Sequence, residues 1–124
     1  MNYFFDKLLD FETTFRSFVL KKIGQYIDIL NPVQPGACDM KAKGLKARFG
    51  ERICFHGGID EQYYLPKADM NEFMEEIKRV ISEFAPNGGY ILAPAHNIQS
   101  DTPHEKIAKL YETTVKYGTY PTKI

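Results

Sequence analysis

The chain has 124 residues, enough for one domain with a modest hydrophobic core. Sixteen Lys and Arg residues balance sixteen Asp and Glu residues, so the charge favours neither nucleic acid nor an anionic membrane surface as a partner. Because no apolar run reaches the roughly 18 residues of a membrane span and the start does not resemble a secretory signal, we expect a cytoplasmic protein. In that compartment Cys38 and Cys54 are expected to be free thiols.

The first 23 residues carry apolar side chains at intervals close to a helical repeat, and five of these side chains are phenylalanines. The apolar positions are Phe4, Phe5, Leu8, Phe11, Phe15, Phe18, Val19 and Ile23. The pattern predicts an N-terminal helix that ends at Gly24. Its broad apolar face must be covered, either by the rest of the chain or through self-association or a partner chain.

Three short apolar runs follow, at residues 26–33, 52–55 and 90–93, and a helical pattern comes after each. Each run is apolar enough for a strand that is buried on both faces. The alternation predicts an α/β fold of three parallel strand-helix units with right-handed crossovers. Three strands cannot close an eight-stranded barrel, so the pattern is typical of part of a larger structure.

Capping signals and apolar faces define the three predicted helices. The capping residues are Asp39 for the first helix, Asp69 with Glu72 for the second, and Thr102, Pro103 and Glu105 for the third. The expected inward residues are Phe73, Ile77, Val80, Ile81 and Phe84 in the second helix and Ile107, Leu110, Tyr111 and Val115 in the third. Gly50 and Gly118 are the expected ends of the first and third helices, and residues 119–124 are expected to form a tail.

Polar residues lie at or just beyond the end of each predicted strand. They are Asn31 and Gln34 for the first, His56 and Asp60 for the second, and His96, Asn97 and Gln99 for the third. Because carboxyl ends of parallel strands lie at one edge of a sheet, these groups are expected to converge on a substrate site. Gly57 and Gly58 permit a backbone turn and the close approach of a ligand to the main chain.

Several of these residues have competing interpretations. Cys54 and His56 would share one face of a strand and could supply two zinc ligands, but no third ligand is evident and we predict no metal site. Asp101 is expected to serve in capping rather than acid-base chemistry, whereas both roles stay open for Asp60. His104 is expected to be exposed and without a role.

Three stretches carry a family resemblance: Ile-Leu-Asn-Pro-Val-Gln-Pro at 29–35, residues 45–60 ending in His-Gly-Gly-Ile-Asp, and residues 89–103 containing Ala-Pro-Ala-His-Asn-Ile-Gln-Ser-Asp. Together they resemble the C-terminal part of the uroporphyrinogen decarboxylase family. The resemblance divides the chain into a helix of unplaced origin (1–23), a family-like part (24–118) and a tail (119–124). It implies a partial (β/α)8 TIM barrel that contributes the last three units.

The decarboxylases of this family need no cofactor and remove carbon dioxide from the four acetate side chains of uroporphyrinogen in haem synthesis. The resemblance therefore implies a tetrapyrrole-type ligand and no cofactor. It assigns a catalytic role to the motif histidine His96. The expected substrate-binding residues are Gln34, His56, Gly57, Gly58, Asp60 and Asn97.

The sequence also departs from the decarboxylase pattern. Gly58 stands where the decarboxylases have Asn in Gly-Asn-Leu-Asp, and Glu61 replaces the usual Pro, so the substrate stays open. The family aspartate that holds the pyrrole N–H groups falls outside the matching part, which implies a fragment with little or no activity alone.

Two alternatives remain. One is a zinc-dependent methyltransferase of the same family, which moves a methyl group between a corrinoid protein and a thiol; there a cysteine matches His96. The other is a non-catalytic interaction subunit or gene remnant whose Phe-rich helix covers the edge of the incomplete barrel.

Overall fold

The structure is a computed structural model that describes residues 27–122. Strands β1 (Ile29–Val33), β2 (Cys54–Ile59) and β3 (Tyr90–Pro94) alternate with helices α1 (Ala42–Phe49), α2 (Met70–Phe84) and α3 (His104–Tyr117). The strands form one parallel sheet in the order β1-β2-β3. This confirms the predicted α/β arrangement of three parallel strand-helix units, while the predicted helix at 1–23 lies outside the described residues.

Helix α2 occupies the centre of the packed structure, because it contacts α1, α3 and strand β2. The five apolar residues predicted to face inward from α2 are all buried. At their centre, the ring of Phe84 lies 4.9 Å from the ring of Phe55 and is stacked 4.8 Å from the ring of Tyr90. The helical repeat of the sequence was therefore sufficient to define this part of the core.

The start of α2 follows the predicted capping box only in part. The carboxylate of Asp69 accepts a hydrogen bond from the backbone N–H of Glu72 at 2.9 Å, as predicted. The carboxylate of Glu72 does not return to the backbone but accepts from the hydroxyl of Tyr63 at 3.1–3.2 Å. A tertiary contact with the preceding loop has replaced the reciprocal half of the motif.

The predicted caps of α1 and α3 are wrong. Helix α1 begins after Lys41, and Asp39 instead has a φ of 58° in a turn that precedes the helix. Helix α3 begins after Pro103, whose ψ of 133° is extended rather than helical, and no side chain caps it. The backbone N–H of Thr102 donates to the carbonyl of Gln99. Thr102 therefore belongs to the turn before the helix and does not cap it.

Strand β2 is longer than the sequence predicted. It continues through His56, Gly57 and Gly58 to Ile59, because these residues pair in register with β3 from Ile91 onward. The prediction that these residues follow the strand is therefore wrong. Gly57 and Gly58 have φ values of 116° and 94°, and a methyl group on either would approach a neighbouring atom to within 3 Å. Only glycine fits at these two positions of the strand.

The inward face of α3 also differs from the prediction. Leu110 is buried, but Tyr111 and Val115 are 67% and 73% exposed. The buried residues of α3 are Lys106, Leu110 and Thr113. They recur at helical spacing, but on a face of the helix that is rotated away from the face of Tyr111 and Val115. Gly118 ends the helix as predicted. Between residues 27 and 122, no helix is long and apolar enough to cross a membrane.

Candidate functional site

One side of the sheet is covered by helices and the other is open in the described structure. Phe55 is fully buried against α2, so its neighbours along β2, Cys54 and His56, face the opposite side. On that side, Ile29 of β1 and Ile91 of β3 are each 47% exposed. In a closed barrel of this kind the helices form the outer ring, so the open side corresponds to the barrel interior.

A hydrogen bond joins the first two strands on the open side. The Nδ1 atom of His56 lies 2.9 Å from Oδ1 of the exposed Asn31. Because the amide oxygen can only accept, Nδ1 is the donor in this contact. The contact fixes the orientation of the imidazole, and within residues 27–122 its Nε2 atom makes no hydrogen bond to protein.

Asp60 directly follows β2 and shapes the next loop. One of its carboxylate oxygens accepts from the backbone N–H of Gln62 at 2.9 Å, and its carbonyl accepts from Leu65 at 3.3 Å. Asp60 therefore serves as a turn residue and still has a second carboxylate oxygen for a ligand.

Asp60 also lines a cleft of about 530 Å³ at the carboxyl ends of β1 and β2, between α1 and α2. The other polar or glycine residues of its wall include Gly36, Lys41, Lys43, Gly58, Tyr64, Glu76, Arg79 and Glu83. This cleft lies on the helix side of the sheet, whereas the pair of Asn31 and His56 lies on the open side. The predicted site residues are thus divided between two surfaces that meet at the ends of the strands.

Glu76 of α2 is a buried carboxylate that the sequence analysis did not single out. It is 6% exposed and accepts two hydrogen bonds from Arg79, both at 2.7 Å. Arg79 also contacts Glu83 at 2.9 Å. The hydrogen bonds to Glu76 raise the pKa of the Arg79 guanidinium. The sequence does indicate this burial, because Glu76 stands three residues after Phe73 and so lies on the apolar face of the helix.

His96 and Asn97 occupy the exposed loop that follows β3. The start of this loop is fixed, because the backbone N–H of Ala95 donates to the carbonyl of Ile59 at 2.8 Å. Gln99 makes a local contact with the carbonyl of Asn97 at 2.9 Å. Within residues 27–122, no hydrogen bond joins the side chain of His96 to His56 or Asp60.

The remaining candidate residues have simple surroundings. Gln34 is half-buried in the loop after β1, where its carbonyl accepts from Ala37 at 3.0 Å. The side chain of His104 is 91% exposed, as predicted. Cys38 and Cys54 are both free thiols, also as predicted. In the part of the chain that the structure describes, no group of three or more His, Cys, Asp or Glu residues lies close enough to hold a metal ion.

Three parallel strands with a helix after each define the class of protein: an α/β chain built from the repeating unit of a TIM barrel. A family model gives the particular family. The model described as uroporphyrinogen decarboxylase (URO-D) matches residues 25–117, and the chain therefore belongs to that family. No curated protein and no solved structure matches it significantly.

Proposed function

We propose that this chain supplies part of a substrate site for a tetrapyrrole that carries carboxylate side chains, and that the chemistry of the site is decarboxylation of uroporphyrinogen acetate groups. The observation that carries the proposal, beyond family membership, is the hydrogen bond between Asn31 and His56 on the side that corresponds to a barrel interior. It supports the proposal because a fixed imidazole can recognise the donor groups of such a ligand.

The residues suit complementary parts of this ligand. In the proposed site, Nε2 of His56 accepts a hydrogen bond from a pyrrole N–H group. The exposed imidazole of His96, beyond the end of β3, donates to a substrate carboxylate. Gly57 and Gly58 let β2 run unbroken between these groups, because a methyl group on either would meet Val33 or Tyr90.

The reaction places a further demand on the site. When the bond between an acetate methylene and its carboxylate breaks, the electron pair left behind must move into a pyrrole ring that has been protonated on carbon. A carboxylate beside that ring stabilises the cation before the bond breaks. Because the family aspartate for this role falls outside the matching part, we propose that the chain binds the ligand without turning it over unless further barrel units are present.

Binding of uroporphyrin, the stable oxidised form of the substrate, tests the proposal. The full chain is titrated with uroporphyrin, and quenching of the porphyrin fluorescence gives the dissociation constant. Loss of one charge-assisted hydrogen bond costs about 1.5–3 kcal/mol, so His96→Ala should weaken binding roughly 10- to 100-fold. His104→Ala is the matched control and should leave the dissociation constant unchanged, because His104 lies on the exposed surface of α3.

Absence of binding at ~100 μM uroporphyrin, or an equal loss in both histidine variants, would refute the proposed site. The same samples are incubated anaerobically with uroporphyrinogen. We expect no coproporphyrinogen at a rate typical of enzymes, about 1–1000 per second. Turnover at that rate by the chain alone would contradict the proposed need for further barrel units.

The zinc-dependent methyltransferase is kept as a second candidate, because Cys54 and His56 lie on the same side of β2 and both are half-buried. Zinc titration of the full chain tests it. Stoichiometric binding that is lost in Cys54→Ser and in His56→Ala, but not in Cys38→Ser, would favour the methyltransferase over the decarboxylase. Equal zinc binding by all four proteins would remove this candidate.

A further inference from the structure

Lys106 is a buried cation that none of the proposed chemistry uses. It is the third residue of α3 and is 5% exposed. Its ammonium group donates to the backbone carbonyl of Tyr64 at 2.8 Å and to that of Ala68 at 2.5 Å. The same group lies 5.5 Å from the centre of the Phe73 ring. The ammonium group of Lys106 is therefore stabilised by two backbone carbonyls and one aromatic ring.

The location of Lys106 is unfavourable for a lysine taken alone. It lies in the first turn of a helix, where the macrodipole favours negative rather than positive charge. Burial further lowers the pKa of Lys106, because the ammonium has lost most of its water, although Asp69 and Glu72 oppose this effect. A leucine at this position would avoid both costs but would leave the carbonyls of Tyr64 and Ala68 without this donor.

The two carbonyls belong to the loop of residues 60–69, which we call the Asp60 loop. This loop starts immediately after β2 and leads into α2. Helix α3, which carries Lys106, follows the loop that bears His96. Just before the Asp60 loop, the last residue of β2, Ile59, accepts a hydrogen bond from Ala95 at the start of the loop that bears His96. Lys106 therefore adds a second connection, between the Asp60 loop and the helix that directly follows the loop of His96.

We propose that Lys106 is a positioning residue: through the carbonyls of Tyr64 and Ala68, it holds the Asp60 loop against α3 and so sets the position of Asp60 relative to His96. Holding the loop does not depend on the identity of the ligand. The consequence for ligand binding rests on the proposed function, in which His96 and His56 of β2 contact one tetrapyrrole.

Amide hydrogen exchange in the full chain tests the first part. The informative amides are those of Leu65, Lys67 and Ala68, which donate to carbonyls inside the Asp60 loop. In Lys106→Met we expect these amides to exchange at least ~10-fold faster, which corresponds to about 1.4 kcal/mol of lost local protection. The buried amides of α2 should keep their rates. Loop amides that exchange within twofold of the wild type would overturn the proposal.

Two variants separate a local role from general loss of stability. Lys109→Met is the matched control, because Lys109 lies on the same helix and, among the described residues, forms an ion pair only with the exposed Glu112, at 2.7 Å. It should leave exchange in the Asp60 loop unchanged. Lys106→Arg keeps a donor cation and should restore most of the protection that Lys106→Met loses. Equal acceleration in both lysine-to-methionine variants would refute the specific role of Lys106.

The wild-type protein offers a further measurement in case Lys106→Met does not fold. An ammonium held by two carbonyls exchanges its protons slowly, so its ¹⁵N-coupled proton signal should be detectable near pH 6, and its absence would contradict the proposal. Uroporphyrin titration then addresses the second part: Lys106→Met should bind about 10-fold more weakly than the wild type. A wild type that does not bind uroporphyrin refutes the proposed function alone, whereas unchanged loop exchange refutes the role of Lys106 alone.

Discussion

Substitution of Gly58 by alanine is a sharp test of how tightly β2 is packed beneath α2. A methyl group built on Gly58 would lie 2.8 Å from the hydroxyl oxygen of Tyr90 and 3.1 Å from a methyl of Val80. The hydroxyl cannot move freely, because it donates to the carbonyl of Gly57 at 2.8 Å and its ring is stacked on Phe84. The substitution must therefore displace several packed groups.

Two costs add in this variant. A non-glycine residue at a φ of 94° costs about 1–2 kcal/mol, and an extra methyl group in a packed core costs about 1–3 kcal/mol more. We expect Gly58→Ala to lower the free energy of unfolding by about 2–5 kcal/mol. This is a large part of the roughly 5–14 kcal/mol available to a domain of this size.

Urea unfolding followed by circular dichroism gives this difference, with Gly44→Ala as the matched control. Gly44 lies inside α1 with nothing within 4 Å of an added methyl group, so its substitution should stabilise the protein by about 0.5–1 kcal/mol. Adding Tyr90→Phe removes the closest clashing atom, and the double variant should be less destabilised than the sum of the single variants by ~1 kcal/mol. A cost below 1 kcal/mol for Gly58→Ala, or strict additivity, would refute the packing described here.

Three further predictions concern caps, titration and the imidazole. Asp69→Ala should destabilise the protein by about 1 kcal/mol, whereas Thr102→Ala should cost less than about 0.5 kcal/mol, because only Asp69 caps a helix. Burial raises the pKa of Tyr90 well above 10. The buried neutral phenol therefore contributes fully to stability below about pH 10, and above that pH the free energy of unfolding should fall by ~1.4 kcal/mol per pH unit. Urea unfolding at pH 9 and 11 should show a larger loss of stability for the wild type than for Tyr90→Phe. Asn31→Ala should release His56 from its Nδ1–H tautomer, which ¹⁵N NMR of the imidazole detects.

Each of these predictions has a result that would contradict it. Equal losses in Asp69→Ala and Thr102→Ala would mean that the hydrogen bond seen at Asp69 adds nothing. Parallel pH dependence of the wild type and Tyr90→Phe would mean that Tyr90 titrates normally in the folded protein. Unchanged ¹⁵N shifts of His56 in Asn31→Ala would remove Asn31 as the group that fixes the tautomer; the exposed His104 serves as the internal reference.

The sequence predicted those features that depend on residues close together along the chain. The repeat of Phe73, Ile77 and Phe84 defines a helix face through local geometry alone, and the alternation of apolar runs with helices defines parallel connections. The extension of β2 could not be predicted in this way. Gly57 and Gly58 are typical of turns, and only pairing with β3, more than thirty residues later, keeps them in a strand.

The candidate site was predictable as a set of residues but not as a surface. Strand ends were expected to bring the polar groups together, and Asn31 does contact His56. Which side of the sheet each group faces depends on the φ values of Gly57 and Gly58, which interrupt the simple alternation between His56 and Asp60. The roles of Glu76 and Lys106 depend on tertiary contacts, and charged residues in helices usually indicate solvent exposure.

The strand order has a consequence for assembly. In the described structure, β1 and β3 each have one strand neighbour, so each has a free row of backbone donors and acceptors. Copies could be added edge to edge with every strand still parallel, but two copies supply six strands and three copies supply nine. A ring of eight cannot be divided into whole copies of a three-stranded unit. Any closed eight-stranded barrel that includes these residues must therefore combine them with strands that are not repeats of this unit.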